Sequence, residues 1–255
     1  SIMPAQTLSA RQSAHKAALW LDDLFFPENV SCLCCQSALG EGEWLNLCPA
    51  CTEALNRLFE KQEADSSIVL PPGIRHAFAA FPYTDAAKTL ILLLKYGSIR
   101  AAANPLAVAM SARFCGKADI LVPVPTTKRR LRERGYNQAQ VLAQTLHPLM
   151  DLPVVPALTR QNEQASQTAL SAEERRRNLI GCMTSDAGVA GKRVLLIDDV
   201  LTTGSTAAEA ARALHAAGAA SVSLLVAAKT SQNDAPLFQP ERFIPNYFPA
   251  DRTKT

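Results

Sequence analysis

The thirteen residues from Val194 to Thr206 read Val-Leu-Leu-Ile-Asp-Asp-Val-Leu-Thr-Thr-Gly-Ser-Thr. Four apolar residues suit a buried strand, and two carboxylates follow at its C-terminal end, where open α/β sheets place their ligands. A hydroxyl-rich turn then opens a helix. The first N–H groups of a helix have no intrahelical partner and carry partial positive charge. Gly204 lets the backbone approach an anion closely, and the hydroxyls of Thr202, Thr203, Ser205 and Thr206 add donors. The result is a cup for one phosphate monoester that needs no lysine. Asp198 and Asp199 then stand a sugar's length from that phosphate. There they can accept hydrogen bonds from ribose hydroxyls and support a ribosyl cation, because negative charge stabilises developing positive charge. They are the candidate catalytic residues. Each element occurs singly in plain strand-turn-helix units, and it is the whole string that is specific. No G-x-x-x-x-G-K-[ST] sequence is present, which argues against a nucleoside triphosphatase of the P-loop type.

A second candidate lies upstream. Val122-Pro123-Val124-Pro125 leads into Lys128-Arg129-Arg130-Leu131-Arg132-Glu133-Arg134-Gly135-Tyr136-Asn137-Gln138, with five cations in seven residues. A leaving pyrophosphate fits this stretch, since cations lower the cost of its growing charge. Single-stranded nucleic acid fits too, with Tyr136 able to stack on a base, and a solvated helix start is the bland alternative. The net charge of the chain is only +3, yet Arg75 to Gly135 holds eleven Lys or Arg against three Asp or Glu. That imbalance points to an anionic partner. The polar stretch from Asn162 to Leu179 could close over a bound sugar and exclude water.

The third candidate is a metal site. Cys32-Leu33-Cys34-Cys35 and Cys48-Pro49-Ala50-Cys51 form two C-x₂-C knuckles twelve residues apart. Tetrahedral zinc takes four thiolates from two such knuckles. The expected ligands are Cys32, Cys35, Cys48 and Cys51, with Cys34 able to replace Cys32 or Cys35 if the register slips. Four thiolates leave no open position, so the zinc is structural. A redox C-x-x-C would need only one pair. Cys115 and Cys182 read as buried packing residues, and the four histidines carry no assigned role.

The elements that must position these groups follow from periodicity. Residues 5 to 25 have helical spacing, ended by Pro27. After the cysteines, Thr52 to Lys61 reads as a short helix. A polar stretch then ends at Pro71-Pro72-Gly73, where a domain boundary is expected. Beyond it, strands are expected at Ala77 to Tyr83, Ile120 to Val124, Val154 to Val155, Arg193 to Ile197 and Ser221 to Ala228. Helices are expected at Asp85 to Leu94, Asn104 to Phe114, Asn137 to His147 (closed by Pro148) and Ser205 to Ala217. Residues 159 to 180 read as a long, polar, mobile loop with some helix. This alternation makes an α/β parallel sheet with right-handed crossovers. The expected organisation is an N-terminal helix (1–30), a zinc ribbon with its linker (31–73), the α/β domain (74–229) and an irregular tail (230–255) rich in proline and aromatic residues. Apolar residues make up 48% of the chain and charged residues 19%, as in a globular protein. No apolar run approaches the ~20 residues of a membrane helix, and no signal peptide is apparent, so the reading is a cytoplasmic protein without membrane insertion.

The Val194–Thr206 string resembles the signature of the type I phosphoribosyltransferase superfamily: apolar residues, two acids, then Thr-Thr-Gly-Ser/Thr. The resemblance implies that Asp198 and Asp199 contact the ribose of 5-phosphoribosyl-1-pyrophosphate. It implies further that Thr202 to Thr206 hold the 5-phosphate and that magnesium arrives on the pyrophosphate oxygens. Val-Pro-Val-Pro, the Arg132-Glu133-Arg134-Gly135-Tyr136-Asn137-Gln138 run and the Gln167 to Asn178 stretch together resemble the ComF competence-protein family, and Lys95-Tyr96 adds a smaller likeness. That family implies a link to DNA uptake in natural transformation, an N-terminal zinc ribbon and other competence or DNA-processing proteins as partners. The likeness runs from about Ala77 to Ala228, and the tail from Thr230 departs from it. Three functions compete: a phosphoribosyltransferase with an unknown nitrogen acceptor, a single-stranded-DNA-binding accessory protein that uses the phosphoribosyl pocket for ligand sensing, and a phosphoribosyl-responsive regulator. No helix-turn-helix is apparent to support the last.

Overall fold

The structure, a computed structural model, describes residues 31–40, 45–64, 68–161 and 181–230. The expected N-terminal helix, most of the polar 159–180 stretch and the tail beyond Thr230 lie outside the described residues.

The described chain begins with the cysteine segment and helix α1 (Pro49–Ala64). It continues through β1 (Ala77–Pro82), α2 (Asp85–Tyr96), a 3-10 turn (Arg100–Ala102), α3 (Ala103–Arg113) and β2 (Ile120–Pro123). The short α4 (Lys128–Arg134) and α5 (Gln138–Met150) follow, then β3 (Leu158–Arg160), β4 (Met183–Ser185), β5 (Arg193–Leu201), α6 (Ser205–Ala216) and β6 (Ser221–Lys229). Four strands form one sheet in the order β1-β6-β5-β2, and every neighbouring pair is parallel. β3 and β4 pair antiparallel as a separate ribbon.

The continuous apolar run in β5 exists because both faces of the sheet are covered. Side chains alternate across a strand. Leu195 and Ile197 therefore join a core with α2, α3, α5 and the cysteine segment. Val194 and Leu196 join another with α6 and the β3–β4 ribbon. Helix α2 buries Leu90 through Leu94 without interruption, because it packs on α1 and α3 as well as on the sheet. Cys32, Leu47, Cys48, Leu55 and Leu58 belong to the same core, so the cysteine segment is seated on the α/β body. Phe59 of α1 meets Phe81 of β1 edge-to-face, with ring centroids 6.3 Å apart. The Arg113 guanidinium lies 3.6 Å over the Phe59 ring.

Several boundaries differ from expectation for physical reasons. β5 continues past Ile197 to Leu201, because β6 pairs with it as far as Leu201↔Lys229. The two acids are therefore within the strand. Helix α5 runs through Pro148 to Met150. Proline removes one N–H there, and Gln144, whose carbonyl is freed, lies on an exposed face. The helix ends instead at Asp151, whose φ is 54° and whose N–H donates to the His147 carbonyl. Val154 makes a single parallel bridge to Leu121 rather than a strand. The β3–β4 ribbon flanks the stretch expected to be a loop with some helix, and β3 takes its first residues. Glu209 of α6 holds it: its carboxylate, only 5% exposed, accepts from the Met183 N–H at 3.1 Å and pairs with Arg212. Cys115 is exposed and Cys182 half-buried, so the first is not a packing residue; it follows the end of α3 in a surface turn.

Candidate functional site

The loop between β5 and α6 builds the site. Gly204 has φ 75°, in the left-handed region. It turns the chain so that α6 starts with its N-terminus toward the C-terminal end of the sheet. Gly204, at the N-cap, has no side chain to cap that helix end, and the Ser205 N–H makes only a long 3.5 Å contact with the Thr203 hydroxyl. Thr202 and Thr203 are exposed, and the Thr203 and Ser205 hydroxyls lie 3.0 Å apart. A small pocket beside the loop is lined by Asp198, Thr202, Gly204 and Thr206, with Leu201 and Ala207 at its apolar wall. Uncapped N–H groups and hydroxyls around a polar pocket suit an oxyanion.

A distant part of the chain packs on this loop. Pro71 is buried against Gly204, so closely that a Cβ on Gly204 would stand 2.7 Å from the Pro71 ring. Pro71-Pro72-Gly73-Ile74 is a tight turn, closed by Ile74 N–H donating to the Pro71 carbonyl at 3.0 Å. His215 of α6 lies 2.9 Å from the Gly73 carbonyl. The linker is thereby fastened along α6 and its phosphate-loop end.

Consecutive residues of a strand point to opposite faces, and this separates the two acids. Asp198 lines the pocket, and its Oδ1 accepts from the Asp199 N–H at 2.8 Å. Burial, and next the charge of Asp199, push the Asp198 carboxyl up to about 7, against the opposing pull of Lys95 and Arg130. Asp199 turns to the α2 face, where its Oδ2 lies 3.2 Å from Lys95 Nζ. Both side chains of that pair are mostly buried, at 18% and 14% exposure.

The basic segment forms α4, capped by the Thr127 hydroxyl, which accepts from the Arg130 N–H at 3.2 Å. Lys128, Arg129, Arg130 and Arg132 are exposed. Arg129 pairs with Glu133 at 2.9 Å. Among the described residues, no ion pair is seen for Lys128, Arg130 or Arg132. Arg134 stacks 4.9 Å over the Tyr96 ring and donates to Gln138. Tyr136 departs from the expected base-stacking role. Its ring is buried and its hydroxyl donates to the Leu94 carbonyl at 2.6 Å. Arg100 covers the ring at 5.0 Å, so no base can lie on that face. Burial first of all raises the Tyr136 phenol pKa.

Cys32, Cys35, Cys48 and Cys51 bring four sulfurs within 4.8 Å of one another. A tetrahedron of Zn–S bonds has sulfurs roughly 3.8 Å apart, and Cys35 and Cys48 are 3.5 Å apart here. The Cys48 N–H also donates to the Cys32 sulfur at 3.4 Å, which suits a thiolate. The donor set and its geometry therefore fit a metal such as zinc. Ser37, 3.1 Å from Cys35, is the first cause that brings that thiol down to about 6. Cys34 lies outside the group of four; its sulfur is 3.8 Å from the Ala86 carbonyl, and burial pushes its thiol up to about 12. The register question left by the sequence resolves against Cys34.

Two participants were not singled out as site residues by the sequence. Lys95 ends an apolar helix and carried only a faint family likeness. Pro71 stood in a stretch read as a linker. Neither has a local signal, because each acquires its role by contact with residues more than a hundred positions away.

The fold and loop define a class. The sequence matches the phosphoribosyl transferase domain family over residues 101–244, which spans β2, β5, the acid pair and the β5–α6 loop. The parallel sheet with its flanking helices is the type I phosphoribosyltransferase fold. Relatives narrow this. The DNA utilization protein YhgH of Salmonella typhimurium is 32% identical over 207 residues, covering 78% of this chain and 90% of that protein. The competence protein ComFC of Bacillus subtilis is 31% identical over 214 residues, covering 78% and 84%. Among solved structures, a glutamine phosphoribosylpyrophosphate amidotransferase from B. subtilis aligns at 19% identity with a TM-score of 0.35, over 56% of this chain and 27% of that one. The chain belongs to the ComF-type competence family of the phosphoribosyltransferase superfamily.

Proposed function

We propose that the protein binds 5-phosphoribosyl-1-pyrophosphate at the β5–α6 loop and acts in the use of incoming DNA, as the names of its relatives suggest. The observation that carries this reading is the α6 N-terminus that opens at Gly204 without an N-cap side chain, beside a pocket lined by Asp198, Thr202 and Thr206. In this reading the loop holds the 5-phosphate, and Asp198 and Asp199 take the ribose hydroxyls. Arg130 is close enough to lower the Asp198 pKa, which brings α4 to the same end of the sheet. Lys128, Arg130 and Arg132 are then placed to receive pyrophosphate. Magnesium, carried on the pyrophosphate oxygens, would neutralise part of its charge. Turnover would break the bond from ribose C1 to the pyrophosphate oxygen, whose electron pair leaves with pyrophosphate, while the acceptor nitrogen's lone pair forms the new bond to C1. The carboxylates stabilise the cation-like sugar between these events. The cysteine cluster would hold a structural zinc and lock its segment onto the α/β body.

Calorimetric titration with magnesium phosphoribosyl pyrophosphate tests the reading. Saturable binding is expected in the wild type and a loss of at least tenfold when Thr203 and Ser205 become Val. Absence of wild-type binding would remove it. A second reading is favoured by the exposed cations of α4: the same helix holds single-stranded DNA through its phosphates. Binding should then weaken steeply with salt. Unchanged affinity when Arg129, Arg130, Arg132 and Arg134 become Ala would sink that assignment.

A further inference from the structure

Lys95 is a mostly buried ammonium within 3.2 Å of Asp199, at the C-terminal end of the sheet. Its helix, α2, otherwise presents an unbroken apolar run from Leu90 to Leu94 to the core. An ammonium at this position is costly unless paired, and packing alone would be served better by a methionine or leucine.

Asp199 has two carboxylate oxygens. Oδ2 faces Lys95, and a ligand hydroxyl can take the other. Asp198 stands on the other face and donates nothing to Asp199; it accepts its neighbour's N–H instead. Two adjacent carboxylates repel, and one positive charge set beside them offsets that repulsion. Among the described residues, the groups around this pair include Lys95 and Tyr96 of α2, Tyr83 after β1 with Lys88 over its ring, and Arg130 of α4.

We propose that Lys95 is a positioning residue of the phosphoribosyl site, which fixes Asp199 with one oxygen free and favours the charged form of the acid pair that takes the ribose hydroxyls. This rests on the binding reading given above. Lys95 does not touch the ligand. It acts through Asp199, directly, and through its field at Asp198.

Binding of magnesium phosphoribosyl pyrophosphate is measured by calorimetry between about pH 5.5 and pH 8.5, for the full chain and for Lys95→Met, Lys95→Gln and Lys95→Arg. Loss of the ammonium should move the acid limb of affinity upward by about one pH unit, which makes binding roughly tenfold weaker near pH 6.5. Lys95→Arg, which keeps the charge, should restore the wild-type limb. Thermal melts identify any variant that fails to fold, and Lys95→Gln replaces Lys95→Met in that case. A wild-type profile in Lys95→Met or Lys95→Gln overturns the proposal, as does a uniform loss at every pH that Lys95→Arg fails to rescue. The ligand-free chain supplies an independent reading by carbon-13 NMR of the aspartate carboxyls. The pair should titrate higher in Lys95→Met than in the wild type, and an unmoved titration overturns the proposal. If the wild type binds no ligand while the carboxyl titration moves as expected, the phosphoribosyl reading fails and the role of Lys95 in charging the acid pair stands.

Discussion

Gly204→Ala is the substitution that most directly tests the contact between the linker and the β5–α6 loop. Two costs add. The residue sits at φ 75°, where a Cβ is disfavoured, and a left-handed alanine costs about 1 kcal/mol. The new Cβ would also lie 2.7 Å from Pro71 Cγ and 3.2 Å from Pro71 Cβ. A proline ring cannot rotate aside, so the clash forces a backbone shift of the kind that costs about 1–3 kcal/mol. The total is about 3 kcal/mol, or a fall in melting temperature of roughly 6–12 °C for a chain of this size. Denaturant melts of the wild type and the variant measure it. A cycle separates the two costs: Pro71→Ala removes the ring carbon in the way, so Gly204→Ala made on that background should cost only about 1 kcal/mol. The same cost on both backgrounds would refute the reasoning, since it would mean that Pro71 does not rest on the loop. A cost under about 0.5 kcal/mol in the wild-type background would refute the backbone argument as well.

Two further outcomes follow from the geometry. Atomic absorption should find zinc bound to the purified chain, lost on replacing Cys32, Cys35, Cys48 or Cys51 by Ser but retained in Cys34→Ser; chelation should lower the melting temperature, because the cluster shares a core with the sheet. Loss of metal in Cys34→Ser alone would reverse the ligand assignment. Stability should also depend on pH through Asp198, whose folded-state pKa is raised to about 7. The folded state then holds a proton that the unfolded state releases near pH ~4, so this contribution is complete below that pH and is lost as pH rises toward 7. Asp198→Asn should be more stable than wild type at about pH 8, by on the order of 4 kcal/mol, with the gap closing near pH ~4. A gap independent of pH would show that Asp198 is an ordinary carboxylate.

The residues determined a good deal by themselves. The string from Val194 to Thr206 specified a buried strand, two acids and a hydroxyl-rich turn into a helix, because those features depend on residue type at close sequence spacing. The two cysteine knuckles specified a metal cluster for the same reason: a ligand pair on one tight turn is local. The apolar alternation of strands and helices specified a parallel sheet, since each element must bury a face. Tertiary structure decided what depends on meetings between distant segments. The length of β5 was set by how far β6 pairs with it, and so were the acids' places within the strand and on opposite faces. Tyr136 had the right type to stack on a base, and only the arrival of Leu94 and Arg100 shows it buried and covered. Cys34 was separated from its neighbours by Ala86, which belongs to the α/β body. Lys95 and Pro71 read as a helix end and a linker, and became parts of the site when the chain brought them to Asp199 and Gly204. Local chemistry is written in spacing, whereas charge neutralisation and steric closure are settled by which elements the fold sets side by side.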